Sequence, residues 1–238
     1  MAKKNETFED VVGSKVDSLT KIYWNNEGDS SEIVRFLQQI NEELLNHKIK
    51  ISYKGKEIFI YPLWVEAYYR NDNMKFVDKS CHRSDKGDCE QYKFRLHKKI
   101  NSESKNRGVD IYLGKGKDYY LSFLIKIAYI EKEHKFKICS QTEIIDFLPK
   151  KDSFYEGDLE FTKTDLDYSN CRFVNAARHN LTTDDNNDFN DLSLATFIED
   201  KNFYRAYPTL RKKYKIEKNT IDFNEWHGKW KYLFHRRI

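Results

Sequence analysis

Several signatures of common chemistry are missing from this 238-residue chain. It has no Gly-rich phosphate loop ending in Gly-Lys-Ser/Thr, no GxGxxG after a strand, no HExxH and no GxSxG. Those absences argue against nucleotide hydrolysis at a Walker site and against zinc proteolysis. The four cysteines, Cys81, Cys89, Cys139 and Cys171, form no CxxC pair. No signal peptide and no apolar run of bilayer-spanning length stands beside them, so they read as reduced thiols of a cytoplasmic protein that stays off the membrane. Cys81, His82 and Cys89 could share a zinc ion with His97, but their spacing fits no standard ligand set, so neither a metal nor a cofactor is expected. Linkers rich in Pro, Gly or Ser are lacking too, as are repeats and low-complexity tracts. One domain over 1–238 is therefore predicted, with a helical part at 1–47, a sheet core at 48–175 and a basic, aromatic segment at 201–238.

The chain does have charge and aromatic rings. Charged residues make up 34% and hydrophobic residues 39%, while Phe, Trp and Tyr reach 15%. Ring surface of that extent suits stacking on bases or sugars, or it is ordinary core. The net charge is only +4, but it is unevenly spread. From Lys201 to Ile238 there are eleven Lys or Arg against three Asp or Glu, a local +8. Arg211, Lys212, Lys213, Arg236 and Arg237 in this segment, with Arg83 upstream, are the candidate contacts to a nucleic-acid backbone; a solvated basic helix face would look the same.

Periodicity predicts an α+β fold: a curved, mainly antiparallel sheet flanked by helices at its N-terminal and C-terminal ends. Val11, Val12, Val16, Leu19 and Ile22 suit a short amphipathic helix. Ile33, Phe36, Leu37, Ile40 and Leu44 recur on one face of a second, capped by Asp29, Ser30 or Ser31. Lys48–Tyr53 and Glu57–Tyr61 form a hairpin around Lys54-Gly55-Lys56. Pro62 is expected to end that ladder, so that Leu63–Tyr69 starts a new extended segment. Arg70–Glu90 reads as a long polar loop and Tyr92–His97 as a strand. The runs on either side of Gly114 and Gly116 form a second hairpin, and its later arm, Tyr119–Ile130, is apolar enough to be a central strand covered on both faces. Phe136–Cys139, Asp158–Phe161 and Cys171–Val174 read as further strands. Gln141–Leu148, Leu192–Ile198 and Tyr207–Lys215 read as short helices, and Asn180–Asp191 as a polar, acidic loop, most acidic over 184–191.

Two residues inside apolar runs are candidates for chemistry. Glu66 lies among Trp64, Val65, Ala67, Tyr68 and Tyr69, and strand alternation puts Trp64, Glu66 and Tyr68 on one side. Facing inward, that side is a stacking platform holding a carboxylate whose charged form is disfavoured, as suits a general base; facing outward, it is an edge strand with a solvated Glu. Lys126, in the central strand, is either a snorkelling edge lysine or a site lysine in need of a partner.

Glu66-Ala67-Tyr68 after an apolar strand, then a polar loop with His82-Arg83, a hairpin, and Leu124-Ile125-Lys126, resembles the alkyladenine (3-methyladenine) type of DNA glycosylase. That family carries a Glu-Ala-Tyr motif, a loop with a base-contacting histidine and a Leu-Ile-Arg-Ala strand in the same order. The resemblance spans Leu63 to Leu148. It implies a hydrolase of DNA repair or phage defence that flips a modified nucleotide out of the duplex. Glu66 would activate the attacking water, Lys126 would stand where the family has arginine, and Tyr68 and His82, with Trp64, would hold the base. The chain departs from the family in the longer distance from Tyr68 to His82, in Lys for Arg, and in lacking Glu-Pro after the strand. The wedge position falls to Tyr92, Tyr119 or Tyr120. Two other classes stay open. Asp110 with Glu131, or with Asp158 and Glu160, could imitate a metal-dependent nuclease, although no carboxylate precedes Lys126 by two residues. The basic C-terminal segment alone would suit a non-catalytic nucleic-acid or protein-binding module.

Overall fold

The computed structural model describes residues 6–24, 30–53, 55–81, 95–99, 108–115, 118–132, 135–148, 154–155, 159–165, 171–176, 178 and 192–200. In chain order these form α1 (Phe8–Leu19), α2 (Ser31–Leu45), β1 (His47–Tyr53), β2 (Lys56–Asn71), β3 (Phe76–Val77), β4 (Arg95–Lys99), β5 (Gly108–Lys115) and β6 (Tyr119–Lys132). There follow β7 (Lys135–Ser140), α3 (Gln141–Ile144) with a 3-10 turn over Ile145–Phe147, β8 (Phe154–Tyr155), β9 (Leu159–Lys163), β10 (Cys171–Ala176) and β11 (Ala195–Asp200). The protein is an α+β domain built on one mainly antiparallel sheet, whose longest path runs β10-β11-β2-β6-β5-β4-β8.

Two long strands organise this sheet. β2 and β6 pair along most of their length, from Ile58 opposite Lys132 to Arg70 opposite Tyr120. Each shares its outer edge among several shorter strands. β2 takes β1 first, β11 at Trp64–Glu66 and β3 at Arg70–Asn71. β6 takes β7 over Ile127–Lys132 and β5 over Tyr119–Leu124. One face is covered by α1, α2 and α3. The capping box of Thr7 and Asp10 starts α1, and that of Ser140 and Glu143 starts α3. Apolar spacing turns Ile33, Leu37, Ile40, Leu44 and Leu45 of α2 onto the sheet, where they are buried. Burying such a side chain stabilises the fold by about 1.5–3 kcal/mol.

The phase of burial along both long strands changes at one place. In β2 the residues of the helix-covered core are Ile58 and Ile60, then Val65, Ala67 and Tyr69: even numbers, then odd. In β6 they are Leu121, Phe123 and Ile125, then Ala128 and Ile130: odd numbers, then even. The register supplies the cause, because it skips Leu63 between Pro62 and Trp64 and skips Lys126 between Ile125 and Ile127. An extra residue in a strand turns all later side chains to the other face. The two irregularities match, so both strands keep apolar residues on the helices while Glu66 is carried to the opposite face.

Several expectations need correction. Pro62 does not end a strand; it lies within β2, opposite Ala128 and beside a bulge, one of the few places a sheet accepts proline. Arg70 and Asn71 are still in β2, and the chain turns back at once to pair β3 with them. Leu192–Ile198 is not helical: β-branched and aromatic Thr196, Phe197 and Ile198 lie in β11, where Thr196 is bonded to Asn41 of α2. Asp29, Lys54, Tyr92, Gly116, Pro149, Asp158, the acidic loop 184–191, the helix expected over Tyr207–Lys215 and the whole 201–238 segment lie outside the described residues. Among the described residues no helix is long and apolar enough to cross a membrane.

Candidate active site

The face of β2 and β6 away from the helices carries an unusual amount of buried charge. Glu66 is 0% exposed, Lys126 4% and Asp110 8%. Cross-strand register sets them out in a row. Glu66 is opposite Leu124 of β6, and Leu124 is opposite Asp110 of β5. Residues opposite one another in a sheet share a face, so the two carboxylates flank Leu124, their backbones about 9.5 Å apart by the spacing of strands. Lys126, the residue the ladder skips, reaches back to Glu66, with Nζ 3.4 Å from Oε2. An unpaired residue in a bulge is free of the ladder's direction, which is how a lysine inside an apolar strand comes to aim at a carboxylate one strand away.

Tyr68, two residues on from Glu66 and on the same face, donates its hydroxyl to the same oxygen at 2.9 Å. Burial first, and the Glu66 charge next, push the Tyr68 hydroxyl well above its ordinary range, while Arg178 pulls it down. The hydroxyl is thus a donor at any physiological pH. Tyr68 and Leu124 are only partly buried, so solvent meets the row at these two side chains. Gly108 gives Leu124 its place: a Cβ there would lie 2.6 Å from Leu124 Cδ1.

Behind Tyr68 is a second charged pair. The guanidinium of Arg178 sits over the Tyr68 ring, 4.5 Å from its centroid. It also binds both oxygens of Asp78, through Nη1 at 2.5 Å and Nη2 at 3.3 Å. Burial works against the Arg178 charge, but the Asp78 carboxylate outweighs it and holds the guanidinium above its usual range. Arg178 and Asp78 have no local sequence signal; they are 100 residues apart and meet through the return of β3.

Of the candidate residues, the structure brings Glu66, Lys126 and Tyr68 together. Trp64 shares their face one pair further along, where its ring packs on Phe197 at 5.8 Å. His82, Arg83, Arg211, Lys212, Lys213, Arg236 and Arg237 lie outside the described residues, as do Cys89 and Tyr92. The acids expected beside Asp110 are elsewhere: Glu131 accepts from the Tyr61 hydroxyl at 3.0 Å and Glu160 pairs with Lys50 at 3.4 Å. Cys81 is buried, its thiol 3.7 Å from the Tyr120 carbonyl, and burial raises its pKa well above the thiol range. Among the described residues no three of His, Cys, Asp and Glu lie close enough together to hold a metal ion. No protein-family model matches the chain, and no curated protein matches it either.

Proposed function

We propose that this protein is a DNA glycosylase-like hydrolase that excises a modified base from a flipped nucleotide. The observation that carries the reading is the fully buried Glu66 with Lys126 and Tyr68 both on its Oε2, under partly exposed Tyr68 and Leu124. A carboxylate offers about four lone-pair positions, so two donors on one oxygen are compatible with a water held as well. In the proposed step that water attacks the anomeric carbon, its proton passes to Glu66, and the bond to the base breaks with its electron pair leaving on the base. A cationic alkylated purine departs as a neutral molecule and needs little more than a dry slot and an oriented water. Lys126 fixes the carboxylate in direction. The basic residues of the 201–238 segment suit the DNA backbone by their charge.

The test is base release from duplexes carrying alkylated or phage-type modified bases. Wild type is expected to release the base, and Glu66→Gln to bind the same duplex and release none. If wild type leaves every such base in place, the reading gives way to a non-catalytic binding module.

One observation favours a second reading. The residue two before Lys126 is Leu124, but the register sets Glu66 and Asp110 on either side of it. A neighbouring strand can thus supply the acid missing from the acid-any-lysine pattern of metal-dependent nucleases. Mg²⁺-stimulated cutting of unmodified DNA would select that reading over base excision.

A further inference from the structure

We propose that Arg178 is a positioning residue that holds Tyr68 and Glu66 in register for catalysis; the inference rests on the base-excision reading above. Its three contacts fall where β2 needs support. β11 pairs with β2 as far as Ala195 opposite Glu66, and the Ala67 amide still donates to the Leu194 carbonyl at 2.8 Å. β11 begins at Ala195, and β3 meets β2 only at Arg70. Between them, Arg178 Nη1 donates to the Ala67 carbonyl at 3.3 Å, the backbone link between Glu66 and Tyr68. The same guanidinium stacks on Tyr68 and thereby fixes the ring whose hydroxyl bonds to Glu66. A planar guanidinium can cover the ring and donate from its edge at once, whereas an ammonium brings a point charge without that planar fit.

The other half of the pair is anchored in a different element. Asp78 follows β3, accepts from the Ser80 amide through Oδ1 at 3.0 Å, and its carbonyl accepts from the Cys81 amide at 3.1 Å. Cys81 precedes His82 directly in the chain. Arg178 therefore ties the root of the stretch that contains His82 to the backbone between Glu66 and Tyr68. Both Arg178 and Asp78 side chains are 0% exposed. Replacing both members of a buried pair by apolar residues of similar volume is often neutral or stabilising, which lets the contribution to placement be separated from folding.

The test compares full-length wild type, the paired variant Asp78→Leu/Arg178→Met, and Arg178→Lys, with thermal melts reporting the fold. Two readouts are taken: steady-state base release from a duplex alkylated with dimethyl sulfate, and the ¹³Cζ resonance of Tyr68, identified by its loss in Tyr68→Phe. Positioning predicts that the folded paired variant loses roughly 100-fold in kcat, the scale of a 1 Å misplacement, with KM within about twofold. Arg178→Lys then regains part of the loss, and the Tyr68 resonance moves in the paired variant. Release at the wild-type rate by the paired variant, or a change in KM alone, overturns the inference and leaves the base-excision reading standing. Should wild type release no base, that reading fails and the resonance alone decides: displaced in the paired variant, Arg178 holds Tyr68; unmoved, it does not.

Discussion

Replacing Lys126 by methionine is the perturbation that bears most directly on the site. It keeps most of the side chain's length and removes its charge, leaving Glu66 at 0% exposure with the Tyr68 hydroxyl but without the ammonium at 3.4 Å. Removing one partner of a buried ion pair costs about 3–5 kcal/mol, chiefly because the remaining charge keeps its desolvation penalty. For a chain of this length each kcal/mol is about 2–4 °C, so Lys126→Met should melt about 6–20 °C below wild type. Glu66→Gln/Lys126→Met removes both charges and retains an amide oxygen for Tyr68, so much of the loss should return. Urea titrations of the four proteins of the cycle measure this directly. A Lys126→Met protein within about 1 kcal/mol of wild type at neutral pH would refute the reasoning, since it would mean that water already screens the pair.

Three further outcomes are expected. Burial holds His47 below its ordinary pKa, and because a carbonyl only accepts, its Nδ1 proton must point at the Glu43 carbonyl 2.6 Å away. The unfolded chain therefore binds the extra proton first, and stability should be full above about pH 6.5 and fall on acidification through the lower folded value; urea midpoints at pH 7 and 5 should differ less in His47→Gln. Gly108→Ala drives Leu124 from its seat, as the new Cβ would come within 2.6 Å of Cδ1. Leu124 is a partly exposed, flexible side chain, so the cost should stay within about 1–3 kcal/mol by urea titration while base release slows, and unchanged kinetics would show that Leu124 does not border the reacting nucleotide. Cys81, buried and held as a thiol, should react with iodoacetamide only on unfolding, and brisk alkylation of native protein at pH 8 would contradict its placement.

Much of the scaffold was legible because its signals are local. The apolar spacing from Ile33 to Leu44 gives α2, the Gly55 turn joins β1 to β2, and the run from Tyr119 to Ile130 is the centre of the sheet. Strand alternation puts Tyr68 on the side of Glu66, while Lys126 stands out only as a cation inside an apolar strand and is set beside them by the resemblance alone. Alternation fails where a strand is not uniform. Pro62 suggested an end when it marked a bulge, and Leu192–Ile198 resembled a helix because helical spacing and a short buried strand look alike over seven residues. Arg178 and Asp78 left no trace at all, since nothing in a polar stretch says which cation will stack on a tyrosine 110 positions earlier.

The slips at Leu63 and Lys126 are matched to each other across the two long strands. Losing Leu63 alone would leave Pro62, Trp64 and Val65 in plain alternation, so Val65, Ala67 and Tyr69 would stay beneath the helices and Glu66 opposite them, and the change would fall on Lys126, whose slip would no longer be matched across the ladder. One codon lost there would disturb the aim of the lysine while leaving the carboxylate on its own side of the sheet.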